Sequence, residues 1–113
     1  MKDVLYLMKP GFMNAGLGPF YCGDSVSIEG LLGFYPELRE KVDVVYVDFS
    51  RPRQPLLDAL GEDHQSVPVL VQAEDGSAPA AARFKTANGR RYIANEKSIR
   101  EYLSTVHDLP RSG

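Results

Sequence analysis

The stretch Val42-Asp43-Val44-Val45-Tyr46-Val47-Asp48-Phe49 constrains this chain more than any other. β-branched and aromatic residues fill it almost without a break, a composition that favours extended backbone. Apolar residues on both sides of the pleat belong in a strand buried on both faces, as parallel strands usually are. Such a strand needs helices above and below its sheet. The rest of the chain supplies them. Val4 to Met8 is a short apolar run closed by Pro10-Gly11, and Val67-Pro68-Val69-Leu70-Val71 is a third buried strand, with its proline near the start where a missing N–H is tolerated. The order read along the chain is strand, helix, strand, helix, strand, strand, helix. A right-handed crossover then makes the first pair parallel, and a short turn makes the closing pair antiparallel.

The helical segments carry their own punctuation. From Cys22 the pattern turns helical, with Val26, Gly30 and Phe34 on one stripe and Leu31 and Tyr35 beside it. Gly30 and Gly33 are poor helix formers, so close packing on a sheet is the expected reason for them. Pro36 ends this helix, and Pro36 to Lys41 can restart one. Pro55 to Leu60 reads as a short helix capped by Gly61. Glu74 to Ala82 reads as a loop. Asn88-Gly89 is a turn signal, and Arg90 to Ala94 a candidate edge strand. Asn95 can cap a last helix in which Ile99, Tyr102, Leu103 and Val106 share a face, with a frayed tail from Leu109. The segment between Gly11 and Tyr21 reads as a glycine-rich loop whose Phe12, Met13, Leu17, Phe20 and Tyr21 must pack on something or line a site.

Composition narrows the function classes. A chain of 113 residues fits one domain, taken as residues 1–113. The net charge of −2 and the lack of a lysine- or arginine-rich run argue against general nucleic-acid binding; Arg83, Lys85, Arg90 and Arg91 read as a solvated face. No apolar stretch approaches the roughly 20 residues that span a bilayer. The first residues lack a signal peptide's long apolar run, so a cytoplasmic location is expected. A single cysteine excludes an internal disulfide and a four-cysteine zinc site. His64 and His107 have no second ligand at metal spacing and read as surface residues.

That cysteine, Cys22, sits at the start of the first helix, where orphan amides and the helix dipole favour a thiolate, the nucleophilic form. Asp24 opposes this with a nearby negative charge. The competing reading is a partly buried, inert small residue. Ser25, one turn on, either donates a hydrogen bond to the sulfur, caps the helix, or sits at the surface. Tyr21 and Phe20 flank the cysteine and either line a pocket or pack in the core.

The element order, with Phe20-Tyr21-Cys22-Gly23-Asp24-Ser25 after the first strand and Ser66-Val67-Pro68 opening the third, resembles the thioredoxin fold. That resemblance implies an α/β fold: a four-stranded mixed sheet with three to four flanking helices. It further implies a cis bond before Pro68, facing Cys22, with the Val67 backbone exposed to an extended ligand. Val67-Pro68-Val69-Leu70 and Asn95-Glu96-Lys97-Ser98-Ile99-Arg100-Glu101-Tyr102-Leu103 are similar to the second half of the N-terminal domain of glutathione transferases. There the start of the last helix holds glutathione's γ-glutamyl end, a role that would fall to Asn95 and Glu96; a simple capping pair is the alternative. Ser25 stands where thioredoxins have their second cysteine, so a dithiol mechanism within the chain is excluded. Cys-Gly-x-Ser resembles monothiol glutaredoxins, which hold an iron–sulfur cluster with glutathione, but Asp24 replaces their phenylalanine. Over nearly its whole length the chain looks closest to an uncharacterised thioredoxin-like family, domain of unknown function 3088.

Two functions follow as expectations. One is a monothiol redox or glutathione-binding domain, with Cys22 and Ser25 as catalytic residues, Tyr21, Val67, Pro68, Asn95 and Glu96 as ligand contacts, and glutathione or another thiol-bearing small molecule or peptide as partner. The other is a non-catalytic module that binds a protein or peptide. Iron–sulfur ligation by Cys22 is a third.

Overall fold

A computed structural model describes residues 1–77 and 83–113. Residues 78–82 of the expected Glu74–Ala82 loop lie outside them. The chain runs β1 (Asp3–Met8), β2 (Phe12–Asn14), β3 (Leu17–Phe20), α1 (Gly23–Phe34), α2 (Leu38–Lys41), β4 (Val42–Val47), α3 (Gln54–Leu60), β5 (Val69–Val71), β6 (Lys85–Ala87), β7 (Arg90–Ile93) and α4 (Glu96–Val106).

Five strands form one mixed sheet in the order β4-β1-β5-β7-β6. β1 and β4 are parallel, with Leu5 opposite Val44. β1–β5, β5–β7 and β6–β7 are antiparallel. The sheet therefore has one strand more than the four expected. Lys85–Ala87 is the addition, turned back on β7 through Asn88 and Gly89, both at positive φ. β7 is in consequence an inner strand, not the edge.

Side-chain alternation sorts the core to the two faces. Leu5 and Leu7 of β1, Leu70 of β5 and Ile93 of β7 point to one side. There they meet Ile28 and Leu32 of α1, Leu38 of α2, and Ile99, Tyr102 and Leu103 of α4. Tyr6, Val69, Val71 and Tyr92 point to the other side, onto Leu56, Ala59 and Leu60 of α3. Three helices thus cover one face and one covers the other, as a sheet apolar on both faces requires. Tyr102 also anchors the far end of the chain to the start of β1: its hydroxyl donates to Asp3 Oδ2 at 2.6 Å, and Asp3 Oδ1 accepts the Ala73 N–H at 2.8 Å.

Several expectations need correction. The buried stripe of α1 is Ser25-Ile28-Leu32, and the Val26-Gly30-Phe34 stripe faces outward, Phe34 being 81% exposed. Ile28 and Leu32 are the residues of α1 that meet Leu5, Leu7 and Leu70 of the sheet, and that contact sets which face is buried. Gly30 and Gly33 face open space and permit no close approach. The residues after Gly11 form a two-stranded hairpin, turned by Ala15 and Gly16 at positive φ. The tail does not fray at Leu109, whose N–H donates to Ser104 O and whose side chain packs on the core. His64 is half-buried, with Nδ1 3.3 Å from the Tyr92 hydroxyl. His107 is half-buried too, and its Nε2 is enclosed with no partner among the described residues.

Candidate functional site

Cys22 is the N-cap residue of α1, half-buried, with extended backbone and no side-chain cap. Its carbonyl accepts the Val26 N–H, the first bond of the helix. Cys22, Ser25, Val26 and Glu29 follow the helical spacing that places them on one side of α1. Together with Met8, Lys9, Pro10, Tyr21 and Tyr46 they line a cavity of about 690 Å³. The end of β1, the residues leading into α1, the first two turns of that helix and the edge strand β4 all contribute to it.

Ser25 is buried, and its role differs from the expected one. Its Oγ accepts the Met8 N–H at 3.1 Å, tying α1 to the end of β1. It makes no hydrogen bond to the Cys22 sulfur. β1 stays paired with β4 as far as Met8–Val47, but its pairing with β5 stops at Tyr6–Val69, so the Met8 amide meets no β5 carbonyl and takes its acceptor from α1. At the far wall, Glu29 is engaged twice: Arg39 donates to its carboxylate at 2.7 Å and the Tyr46 hydroxyl at 2.8 Å.

Tyr21 lines the cavity and is 68% exposed, so it is not core; Phe20 is exposed as well. The cause lies in the hairpin, which lifts both off the sheet. Phe12 anchors that hairpin instead, stacking on Phe49 at 4.5 Å between ring centroids and tilting against Phe20 at 6.0 Å. Gly18, at φ +133, has room for no side chain, since an added Cβ would lie 2.9 Å from Phe12 O.

The residue that sequence reasoning missed is Arg53, 8% exposed. Its guanidinium lies 5.6 Å from the Phe49 ring centre. It donates to Phe49 O from Nε at 3.0 Å and Nη2 at 2.7 Å, and to Gln65 O from Nη1 at 2.8 Å. Among the described residues no carboxylate lies within the 4.0 Å of an ion pair. Burial pulls its pKa below the ordinary value, the charge of Arg51 pulls it further, and a thiolate at Cys22 pushes the other way. An arginine in a proline-flanked loop carries no sequence signal for burial.

The remaining candidates lie apart from the cavity. The Val67–Pro68 bond is cis. Pro68 is buried and Val67 half-buried against the α3 face, and neither lines the Cys22 cavity. Asn95 Oδ1 accepts the Ser98 N–H at 3.0 Å, so it is a helix cap, and it lines a different cavity with Lys85, Lys97 and Ser98. Glu96 accepts from Ser27 Oγ at 2.7 Å and from Arg100 Nε at 3.0 Å, joining α1 to α4. Those two hydrogen bonds, Arg100's first, hold its carboxyl below the usual range. Of the seven residues expected at the site, the structure brings Tyr21, Cys22 and Ser25 together. Among the described residues no helix is long and apolar enough to cross a membrane.

No curated protein and no solved structure matches the chain. A family model, described as a protein of unknown function, DUF3088, matches residues 2–111. The chain therefore belongs to the DUF3088 family.

Proposed function

We propose that this protein is a thioredoxin-fold domain that works through one thiol, Cys22, forming and releasing mixed disulfides with a thiol-bearing small molecule. The observation that carries the reading is the placement of Cys22: the N-cap of α1, half-buried, opening into a cavity of about 690 Å³. That size is within the range of small-molecule sites. The fold reading is supported by the order β4-β1-β5-β7, with one parallel and two antiparallel pairs, and by three helices on one face and one on the other. β6 and the β2–β3 hairpin are additions to that pattern.

In the forward step the Cys22 thiolate attacks one sulfur of a disulfide. A bond forms between Cys22 and that sulfur, the disulfide bond breaks, and the other half leaves as a thiolate that takes up a proton. A second external thiol then attacks the mixed disulfide and restores Cys22. Ser25 stands where a resolving cysteine would be, so the second thiol comes from outside. Glutathione is the ligand implied by the resemblance to glutathione transferases and monothiol glutaredoxins.

Intact-mass analysis after treatment with oxidised glutathione is expected to show one adduct on the wild type and none on Cys22→Ser. A wild type that stays unmodified at a pH where free thiols react readily overturns the reading. A second reading, a protein- or peptide-binding module, has its own support. Met13, Leu17 and Phe20 of the hairpin and Tyr21 just after it are exposed apolar residues, and exposed apolar surface marks interaction sites where it clusters.

A further inference from the structure

We propose that the outer face of α1 and α4 is a self-association surface, through which two copies of this chain pair about a two-fold axis. The proposal does not depend on the thiol.

α1 and α4 lie on the same face of the sheet, joined by the hydrogen bond from Ser27 to Glu96. Between them is a hollow of about 310 Å³, lined by Gly30, Leu31 and Phe34 of α1, Lys97 and Glu101 of α4, and Pro110 of the tail among others. Phe34 is 81% exposed, and its ring meets the Tyr35 ring edge-on at 6.3 Å between centroids. A bare ring beside an apolar hollow forms an exposed apolar patch, the mark of an interaction surface. A cavity of about 150 Å³ takes up a benzene molecule, so this hollow has room for a phenylalanine ring. Phe34 is part of the hollow's own wall, so a ring that fills it comes from another molecule.

Gly30 and Gly33 support the same reading. Neither has a positive φ, so the backbone does not demand glycine at either position, and glycine inside a helix is unfavourable. Nothing lies within 4 Å of the place a Cβ would take at either residue. On an outer face, the effect that remains is to let another backbone come close.

Charge decides the occupant. Lys97 and Glu101, one turn apart on α4, are exposed and belong to no ion pair among the described residues. Arg100 is committed to Glu96, and Arg111 stands on the same rim. An acidic partner would be repelled by Glu101, and a basic one by Lys97 and Arg111. A second copy, turned about a two-fold axis over the groove, sets Lys97 of each chain against Glu101 of the other, as an isologous interface requires. The same rotation carries each Phe34 ring toward the other copy's hollow.

Sedimentation velocity on the full chain, at low salt and from about 5 µM to about 1 mM, tests this. The wild type should pass from monomer to dimer with a dissociation constant of about 100 µM or below. Phe34→Asp should weaken the dimer about a hundredfold or more, because the symmetry buries the ring twice. Gly30→Gln should keep or raise the melting temperature while weakening association about tenfold, which separates pairing from folding. Lys97→Glu and Glu101→Lys should each weaken self-association about tenfold, since both cross-pairs become repulsive. An equimolar mixture of those two variants should pair as tightly as the wild type, because opposite charges then meet at both contacts. A wild type that stays monomeric at about 1 mM, a Phe34→Asp chain that still dimerises, or a mixture no tighter than either variant alone overturns the proposal.

Discussion

Ser25→Ala tests whether the bond from the Met8 amide to Ser25 helps to hold the first helix on the sheet. The serine is 4% exposed, and its Oγ accepts the Met8 N–H at 3.1 Å. Alanine leaves that amide, buried against the back wall of the cavity, without its acceptor, at a cost of about 1–3 kcal/mol. Alanine is also the better helix former inside α1, returning roughly 0.5 kcal/mol. The net expectation is a loss of about 0.5–2.5 kcal/mol, read as a lower urea midpoint with an unchanged slope. The Met8 amide should also exchange its hydrogen faster, a local readout that a general loss of helix stability would not single out. A variant as stable as the wild type, with Met8 still protected, would refute the reasoning.

Two further predictions concern the rest of the molecule. Tyr102→Phe should destabilise by about 1.5–3 kcal/mol, because it removes the donor to Asp3 Oδ2 and leaves that carboxylate with only the Ala73 N–H; denaturation at neutral pH measures it, and a loss under about 0.5 kcal/mol counts against the pairing. For His107, burial first and then Lys41 hold the pKa below its ordinary value, against a smaller opposing pull from Asp3. The folded chain thus takes up this proton less readily than the unfolded one. The contribution of His107 is complete above the unfolded pKa, about 6.5, and is lost as pH falls from there through the depressed folded value. His107→Gln should flatten that part of the stability profile, and an unchanged slope between about pH 6.5 and 5 would exclude the assignment.

What the sequence discloses depends on whether local pattern or tertiary contact decides a feature. β1, β4 and β5 are legible because their runs of Val, Leu and Tyr are apolar on both sides of the pleat, and the parallel β1–β4 pair follows from the helix between them. The β2–β3 hairpin is not, since β2 has three residues, β3 contains Gly18 and Pro19, and the turn is Ala15-Gly16 in place of Asn-Gly or Asp-Gly. β6 is hidden because Lys85 and Thr86 are exposed and its pairing with β7 supplies the order. At the site, Cys22 and its helix start were visible from spacing. Ser25's bond to Met8 was not, because its partner lies 17 residues earlier. Asn95 shows the reverse: local capping chemistry, readable in the sequence, describes its contact better than the ligand role suggested by resemblance.

Arg53 has a topological consequence. Its guanidinium holds the carbonyl of Phe49 with two nitrogens and that of Gln65 with a third, while the Gln65 side chain accepts the Arg53 N–H at 2.7 Å. Residues 49 to 65 are thereby closed into a ring without a covalent crosslink, and α3 rides inside it. The stacked Phe12 extends the closure to the hairpin that delivers the chain to Cys22. A lysine here keeps the charge but has a single head group and cannot reproduce the planar fork that reaches both carbonyls. Charge-conserving drift at this position would therefore open the ring, freeing at once the segment before Pro68 and the approach to the thiol.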